Sequence, residues 1–204
     1  MGVASSPSTG ERQLTEQGRE RKRQLVDTAM RLFAERGYAA TRISDICAEA
    51  GVAKGLFYWY FPTKVDLFSE LARTMRQRLR RAQAEAMLGL ASPVQRIRAG
   101  TEASVVFMAE HAHYFALVEV ERADPTIADA LRGTGRVYLD DVIALVREAQ
   151  ALHEIPDADP HLLATGVLGA VSSFSNSLRA GQIDLRSDEL ATFVGEWVIR
   201  ALGA

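Results

Sequence analysis

The 204-residue sequence is short of cysteine and of long apolar runs, and each shortage excludes a class of protein. Its one cysteine, Cys47, cannot form an internal disulfide, which agrees with a reducing compartment. No segment approaches the roughly 18 consecutive apolar residues that a membrane-spanning helix needs. The first residues, MGVASSPSTGERQLTEQ, lack the apolar block of a secretory signal, so we expect a cytoplasmic protein with no membrane association.

Charge is distributed unevenly along the chain, although the net charge is only −2. Residues 1–81 contain 15 Lys and Arg against 9 Asp and Glu, whereas residues 82–204 contain 9 Lys and Arg against 17 Asp and Glu. A basic first part and an acidic second part predict that the N-terminal part attracts a polyanion while the rest of the chain repels it.

Apolar residues recur at helical spacing along the chain, which predicts an all-α protein of about nine helices. Thr63 with Asp66 three residues later resembles a capping box and opens a long helix. Ser92 and Asp159 each precede a proline and mark two further helix starts. We expect the last five helices over about residues 93–109, 111–122, 126–152, 160–180 and 188–202. The predicted organisation is a flexible arm (1–17), a helix-turn-helix domain (18–64) and a larger helical domain (65–204).

Two short helices joined by a glycine-containing turn predict a helix-turn-helix after the first long helix. Thr41 is the candidate N-cap of the first short helix, and Gly51 ends it. The second runs from about Lys54 to Tyr60, because Pro62 forbids continuation. A strand is the rival interpretation of this last segment, but no other segment shows the alternation that a partner strand would need.

Five consecutive aromatic residues, FYWYF at positions 57–61, occur in a chain that is only 7% aromatic. At about 100° per helical residue, Phe57 and Phe61 share one side and are predicted to enter the core. Tyr58, Trp59 and Tyr60 are left facing outward. Exposed aromatic side chains beside cations predict contact with a phosphate backbone, because a tyrosine ring packs on sugar while its hydroxyl donates to phosphate. A protein-binding patch is the alternative.

The segment GYAATRISDICAEAGVAKGLFYWYFPTKVDLF, residues 37–68, resembles the DNA-binding signature of the tetracycline-repressor-like (TetR) family of bacterial transcription regulators. The resemblance implies a three-helix N-terminal helix-turn-helix domain, a larger C-terminal ligand-binding domain and a homodimer formed mostly by the last two helices. It also implies a repressor that leaves a palindromic DNA operator when a small-molecule effector moves the linking helix.

Carried over position by position, the resemblance implies two groups of DNA contacts. The phosphate contacts are Thr41, Tyr58, Tyr60 and Lys64. The positions that reach bases are Arg42, Lys54, Gly55 and Leu56, and Trp59 completes the predicted interface. Arg42 suits a bidentate pair with guanine, and Leu56 suits contact with a thymine methyl group.

The larger domain contains three further sets of candidate residues. Bulky side chains with polar tips on the central helices are candidates for an effector pocket: Phe107, Met108, His111, Tyr114, Tyr138 and Phe174. The segment of residues 162–178 is rich in small residues, which let helices approach closely, and we expect a dimer interface there. Its candidates are Gly166, Gly169, Ala170, Ser173, Phe193 and Trp197, although a helix buried within the chain is the alternative. The basic run of Arg76, Arg78, Arg80 and Arg81 is interpreted as a solvated helix face.

No nucleophile elbow, zinc-binding helix motif or phosphate loop occurs in the sequence, so we expect no enzyme, no cofactor and no metal site. The main alternative to a DNA-binding regulator is a helical small-molecule carrier or enzyme with a vestigial helix-turn-helix. A helical adaptor whose aromatic patch binds protein is a third hypothesis. Sequence-selective binding to DNA would distinguish the regulator from both.

Overall fold

The structure is a computed structural model that describes residues 15–204, apart from the side chains of residue 130 and of residues 132–136. Within this part of the chain there are nine α-helices and no strand, which confirms the predicted all-α fold. The helices are α1 (Glu16–Arg36), α2 (Ile43–Glu49), α3 (Lys54–Tyr60), α4 (Lys64–Ala86), α5 (Pro93–Glu110), α6 (Ala112–Glu121), α7 (Pro125–Ala151), α8 (Pro160–Arg179) and α9 (Ser187–Leu202). None of these helices has the length and apolar character needed to span a bilayer. The predicted arm of residues 1–17 lies almost wholly outside the described residues, and α1 already begins at Glu16.

Most helix starts follow the capping signals in the sequence. The Thr63 hydroxyl accepts a hydrogen bond from the N–H of Asp66 at 3.1 Å, and the Asp66 carboxylate accepts one from the N–H of Thr63 at 2.9 Å. Helix α4 therefore opens with the predicted capping box. Ser92 and Asp159 cap α5 and α8 with their side chains, as predicted. The predicted bounds of α5 to α9 are confirmed to within about one residue.

The start of α2 differs from the prediction. Thr41 is not its N-cap, because Arg42 occupies that position and donates its backbone N–H to the Asp45 carboxylate at 3.0 Å. The side chain of Thr41 is fully buried, and its hydroxyl donates to the carbonyl oxygens of Gly37 at 2.8 Å and Leu32 at 3.2 Å. Because a buried hydroxyl needs a partner, this side chain fastens the loop before α2 to the end of α1.

The turn between α2 and α3 confirms the predicted helix-turn-helix. Gly51 follows α2 with φ of 63°, a conformation that residues with a Cβ seldom adopt. The N–H of Val52 then donates to the carbonyl oxygen of Cys47 at 3.0 Å, which closes the turn. Cys47 itself is buried in the core of this domain, where burial raises the pKa of its thiol.

Two apolar cores hold the helices together. The first joins α1, α2 and α3 to the start of α4 through the buried rings of Phe33, Phe57 and Phe68, and it extends to Tyr114 on α6. The second joins α5, α7, α8 and α9, with Val194 fully buried at its centre. Helix α4 belongs to the first core and also packs along α5 and α7. It therefore connects the helix-turn-helix domain to the larger domain.

Candidate nucleic-acid interface

Helix α3 has a buried side and an exposed side, because its aromatic residues divide between them. Phe57 and Phe61 are 0% and 2% exposed and belong to the first core. Tyr58 and Trp59, in contrast, keep 53% and 50% of their surface exposed. The exposure predicted from helical periodicity is therefore confirmed for these four rings.

Tyr60 lies at the margin of the helix, and the prediction that it faces outward is wrong. Its ring packs against the first core, and its hydroxyl donates to the carbonyl oxygen of Gly18 on α1 at 2.8 Å. This hydrogen bond joins residues 42 positions apart in the chain and holds α3 against α1. The hydroxyl is thus already engaged and does not point to a phosphate.

The outward side of α3 offers a basic and aromatic surface without bulky obstruction. Lys54 and Gly55 are exposed, and a Cβ added at Gly55 would meet no atom within 4 Å. Leu56, a predicted base contact, is only partly buried. We call the exposed residues Lys54, Gly55, Tyr58 and Trp59 the α3 face. Ala53 is the N-cap of α3 and offers no side-chain hydrogen bond to the first turn.

Arg42 is the second exposed cation of the helix-turn-helix. It occupies the N-cap position of α2, and its guanidinium forms no ion pair with any residue that the structure describes. An arginine in this state can make a bidentate pair with a guanine or with a phosphate. The role of Arg42 in reading bases stays a prediction.

Lys64, a predicted phosphate contact, is turned into the protein, where its ammonium group is engaged by other residues. Its Nζ donates to the carbonyl oxygens of Tyr38 at 2.7 Å and Thr41 at 3.0 Å, and lies 4.1 Å from the centre of the Tyr38 ring. Burial lowers the pKa of Lys64. The ammonium group therefore fastens the loop between α1 and α2 to the start of α4. The hydroxyl of Thr41, another predicted phosphate contact, is likewise buried and bonded within the domain.

Acidic partners engage basic residues of α1. Arg23 pairs with Glu20 at 2.7 Å on the exposed side of the helix. Lys22 reaches Glu70 on α4 at 3.0 Å, and the two side chains are 28% and 16% exposed. Both cations are paired with a carboxylate, and Lys22 also joins α1 to α4, so they add less to a DNA-binding surface than Arg42 and Lys54 do.

Comparison with known proteins assigns this helix-turn-helix to a family. Residues 25–71 match the model of bacterial regulatory proteins of the tetR family. The match is to a DNA-binding regulatory domain of that family and covers this part of the chain. The matched residues extend from α1 into α4, and they include Arg42, the whole α3 face and Lys64.

Curated relatives in the tetR family match mainly the N-terminal part of the chain. The HTH-type transcriptional regulator AcrR of Shigella flexneri is 38% identical over 60 residues, which are 29% of this chain and 28% of AcrR. TtgR of Pseudomonas putida is 35% identical over 66 residues, 32% of this chain and 31% of TtgR. HbdR of Aromatoleum sp. is 30% identical over 126 residues, 60% of this chain and 51% of HbdR. The chain thus spans about a third or less of the first two relatives and about half of the third.

Solved tetR-family structures share the fold of nearly the whole chain. The transcriptional regulator FadR of Bacillus subtilis, solved with stearoyl-CoA, has a TM-score of 0.76 at 22% identity and covers 87% of this chain and 97% of its own. The regulator PfmR of Thermus thermophilus has a TM-score of 0.70 at 20% identity, covering 86% of this chain and 97% of its own. At these identities the likeness is one of fold, and it includes the helical second domain.

The predicted pocket residues of the larger domain do not line one cavity. His111 and Tyr114 line a groove of about 550 Å³ between α1 and the α5–α6 junction. Tyr114 and Tyr138 line a separate cavity of about 180 Å³ between α4, α6 and α7. The ring of Phe107 is buried and stacks on His111 with 4.0 Å between centroids. Met108 packs at the edge of the second core and lines neither cavity.

Phe174, a predicted pocket residue, lies beside the aromatic residues of α9 and is partly buried against the second core. Its ring lies 5.7 Å from that of Phe193 and 6.0 Å from that of Trp197, both on α9. Sequence reasoning placed it by residue type, and no signal in the sequence separates this position from those facing the interior.

The predicted dimer residues lie on one exposed, largely apolar face of α8 and α9, except for Ala170. Phe193 and Trp197 are 45% and 41% exposed, and Leu162, which lines the same shallow groove as Trp197, is 70% exposed. Ala170 is 8% exposed and packs in the second core, so its assignment is corrected. We call the remaining exposed residues the α8–α9 face: Leu162, Gly166, Gly169, Ser173, Phe193 and Trp197.

The basic run on α4 is more engaged than a solvated face would be. Arg78 pairs with Asp27 on α1 at 3.2 Å, and Arg80 pairs with Asp141 on α7 at 3.1 Å. Arg81 is exposed, whereas Arg76 is partly buried and lines the cavity between α4, α6 and α7. The sequence analysis grouped Arg76 with its neighbours by charge, although at about 100° per helical residue positions 76 and 78 face nearly opposite directions.

Proposed function

We propose that this chain is a ligand-responsive, DNA-binding transcriptional regulator, a homodimeric repressor that leaves a palindromic operator in the cytoplasm when a small-molecule effector binds. The α3 face carries this proposal. It holds two half-exposed aromatic side chains beside Lys54, on a helix whose opposite side is fixed in the core. Aromatic and basic side chains on a rigid helix can pack on sugar, donate to phosphate and reach base edges.

The contacts that support DNA binding are fewer than the nine first predicted. Arg42, Lys54, Gly55, Leu56, Tyr58 and Trp59 remain as proposed contacts. Thr41, Tyr60 and Lys64 are engaged within the domain and are proposed to position these contacts instead. Tyr58 is the proposed donor to phosphate, since its hydroxyl has the exposure that Tyr60 lacks.

The α8–α9 face supports the homodimer. Leu162, Phe193 and Trp197 leave apolar surface exposed in one copy, and a second copy placed by a two-fold axis would cover it. Such a dimer presents two recognition helices, which fit successive major grooves about 34 Å apart on one side of the duplex. A palindromic operator follows from the same symmetry.

Two relatives support the regulatory part of the proposal. A protein of Escherichia coli described as a probable acrEF/envCD operon repressor is 38% identical over 50 residues. FadR of Bacillus subtilis, which shares the fold, was solved with stearoyl-CoA. We therefore propose repression as the outcome of DNA binding and a site in residues 65–204 for the effector.

Selection of duplexes from a random pool with the purified full-length chain tests the proposal. We expect enrichment of a palindromic sequence at physiological salt. Tyr58→Phe should weaken binding to all sequences alike, whereas Arg42→Ala should cost about 1–3 kcal/mol and relax preference at one base position. Tyr60→Phe is the comparison for a positioning effect, since its hydroxyl is bonded to Gly18 and should not contact DNA, and we expect a smaller loss of affinity than in Tyr58→Phe.

Two outcomes would overturn this function. A dimer that enriches no sequence, and that binds all duplexes weakly, would indicate a carrier or enzyme with a vestigial helix-turn-helix. Loss of affinity in Tyr60→Phe equal to that in Tyr58→Phe would indicate that general destabilisation, and not the α3 face, governs binding.

A further inference from the structure

The cavity between α4, α6 and α7 has an apolar wall and three polar groups. Its volume is about 180 Å³, and Met75, Val118 and Leu131 contribute to the apolar wall. Three different helices supply the polar groups: Arg76 from α4, Tyr114 from α6 and Tyr138 from α7.

Arg76 brings a positive charge to this cavity without a counter-charge. It is partly buried, and it forms no ion pair with any side chain that the structure describes. Its neighbours on α4 differ, because Arg78 and Arg80 are paired with carboxylates at 3.2 and 3.1 Å. A guanidinium that loses water beside an apolar wall is stabilised only when an anion compensates it.

The two tyrosines add donors to the same cavity. Burial raises the pKa of Tyr114, and it raises the pKa of Tyr138 to about 12. Both phenols therefore keep their protons at neutral pH and can donate hydrogen bonds. The carboxylate that acts on Tyr138, that of Asp141, is already paired with Arg80 at 3.1 Å. No carboxylate is among the described residues that line the cavity.

We propose that this cavity binds an effector with a carboxylate on a small apolar body, with Arg76 pairing with the carboxylate and Tyr114 and Tyr138 donating to it. The inference rests on the proposed function, because it names the effector class of the regulator. The guanidinium can bind both carboxylate oxygens, which gives charge-assisted, directional contacts. The apolar wall then excludes anions that lack an apolar body, such as inorganic phosphate.

The size of the cavity limits the apolar body. A protein cavity of about 150 Å³ admits one benzene ring, so the volume of about 180 Å³ found here has room for one ring or a short alkyl chain. Phenylacetate and hexanoate represent these two bodies. Their neutral amides, phenylacetamide and hexanamide, have nearly the same shape without the charge.

Tyr114 connects an occupant of this cavity to the helix-turn-helix domain. The same side chain lines the groove of about 550 Å³ whose other wall includes Met30 and Ala34 of α1. An effector that shifts Tyr114 therefore changes a surface that α6 shares with α1. The cavity is thus placed to influence the orientation of the helix-turn-helix domain.

Calorimetric titration of the purified full-length chain with the four probes tests the proposal. We expect at least one acid to bind about tenfold or more tightly than its amide, which is the effect of one charge-assisted contact. Arg76→Gln should reduce that preference to within about twofold. Arg81→Gln removes the same charge from an exposed position of α4 and should leave the preference unchanged. Tyr138→Phe should weaken acid binding more than amide binding, and thermal melting should show that each variant is folded.

Three outcomes would overturn the inference: no binding of either acid at millimolar concentration, equal affinity for acid and amide, or an acid preference that survives Arg76→Gln. Operator binding measured in parallel on the same protein distinguishes failure of this inference from failure of the proposed function. Sequence-selective DNA binding without acid binding would support the proposed function and contradict the proposed effector class. Acid binding that depends on Arg76 but leaves DNA affinity unchanged supports the site and contradicts ligand-responsive release.

Discussion

The ammonium group of Lys64 lies 2.7 Å from the carbonyl oxygen of Tyr38 and 4.1 Å from the centre of its ring. Both contacts join the first turn of α4 to the loop that follows α1. Lys64 therefore stabilises the helix-turn-helix domain from inside, although it stands in a sequence segment that signals DNA binding. Lys54, at the start of α3, is exposed. The two lysines are separated by ten positions and have different surroundings.

Replacement of each lysine by methionine should separate stability from DNA binding. Lys64→Met should lower the free energy of unfolding by about 1–2 kcal/mol, because two carbonyl oxygens lose a charged donor. Lys54→Met should leave the melting temperature unchanged and weaken DNA binding. Thermal unfolding and fluorescence anisotropy with the selected operator measure the two effects. The reverse pattern, with Lys64→Met stable and defective in DNA binding, would restore Lys64 as a phosphate contact.

Glu70 provides a pH-dependent contact between α1 and α4. Burial would raise the pKa of this carboxyl, but hydrogen bonds from Arg73 and Lys22 outweigh burial, and the net pKa is lowered. A carboxylate with a lowered pKa stabilises the folded state above its unfolded pKa of about 4.3. That stabilisation is lost as the pH falls through the lower, folded pKa.

Glu70→Gln should accordingly be less stable than the parent by about 1–2 kcal/mol at pH 7, and the difference should shrink below about pH 4. Denaturant unfolding across this pH range measures it. Glu20→Gln is the control, because Glu20 pairs with Arg23 on the surface, where the two side chains are 59% and 64% exposed. We expect no measurable change there. A Glu70→Gln effect that is constant with pH would show that lost packing, and not charge, is responsible.

Trp197 should control the oligomeric state. It is 41% exposed on the α8–α9 face, and Trp197→Glu would place a charge at the centre of the proposed interface. We expect a monomer by sedimentation velocity, with much weaker operator binding. Leu88→Glu is the control, since Leu88 is 85% exposed in the turn after α4. A Trp197→Glu protein that stays dimeric would place the interface elsewhere.

Signals from residues close together in the sequence were sufficient to predict most of the fold. The bounds of α3, the capping box at Thr63 and the opposite environments of Phe57 and Tyr58 each depend on residues within one or two helical turns. Periodicity and capping chemistry act over that distance, so the sequence alone could predict them.

Contacts between distant segments account for the errors. The Thr41 hydroxyl, the Tyr60 hydroxyl and the Lys64 ammonium each bind a carbonyl oxygen between 4 and 42 positions away, and the Tyr60 hydrogen bond joins two helices. Sequence spacing does not reveal such partners. The prediction that Ala170 lies in the dimer interface was wrong for a geometric reason. Ala170 follows the exposed Gly169 by one residue, about 100° around the helix, and so points into the core.

Glu121 connects the larger domain to the helix-turn-helix domain by a hydrogen bond. Its Oε1 accepts from the backbone N–H of Tyr38 at 3.2 Å, across 83 positions of sequence. This carboxylate stands at the end of α6, the helix that also contributes Tyr114 to both cavities. Movement of α6 would therefore act directly on the loop that precedes α2.

Glu121→Ala should release that loop, and Glu121→Gln should retain it, because the glutamine side-chain oxygen can still accept the hydrogen bond. Hydrogen exchange of the Tyr38 amide should accelerate about tenfold or more in the alanine variant, as loss of a bond to a charged group predicts. Exchange in the glutamine variant should stay within about threefold of the parent, since a neutral acceptor is weaker but present. Amides in the centre of α9 serve as the internal reference for global stability. Equal exchange at Tyr38 in both variants and the parent would mean that this contact does not hold the loop, and that helix packing joins the two domains without it.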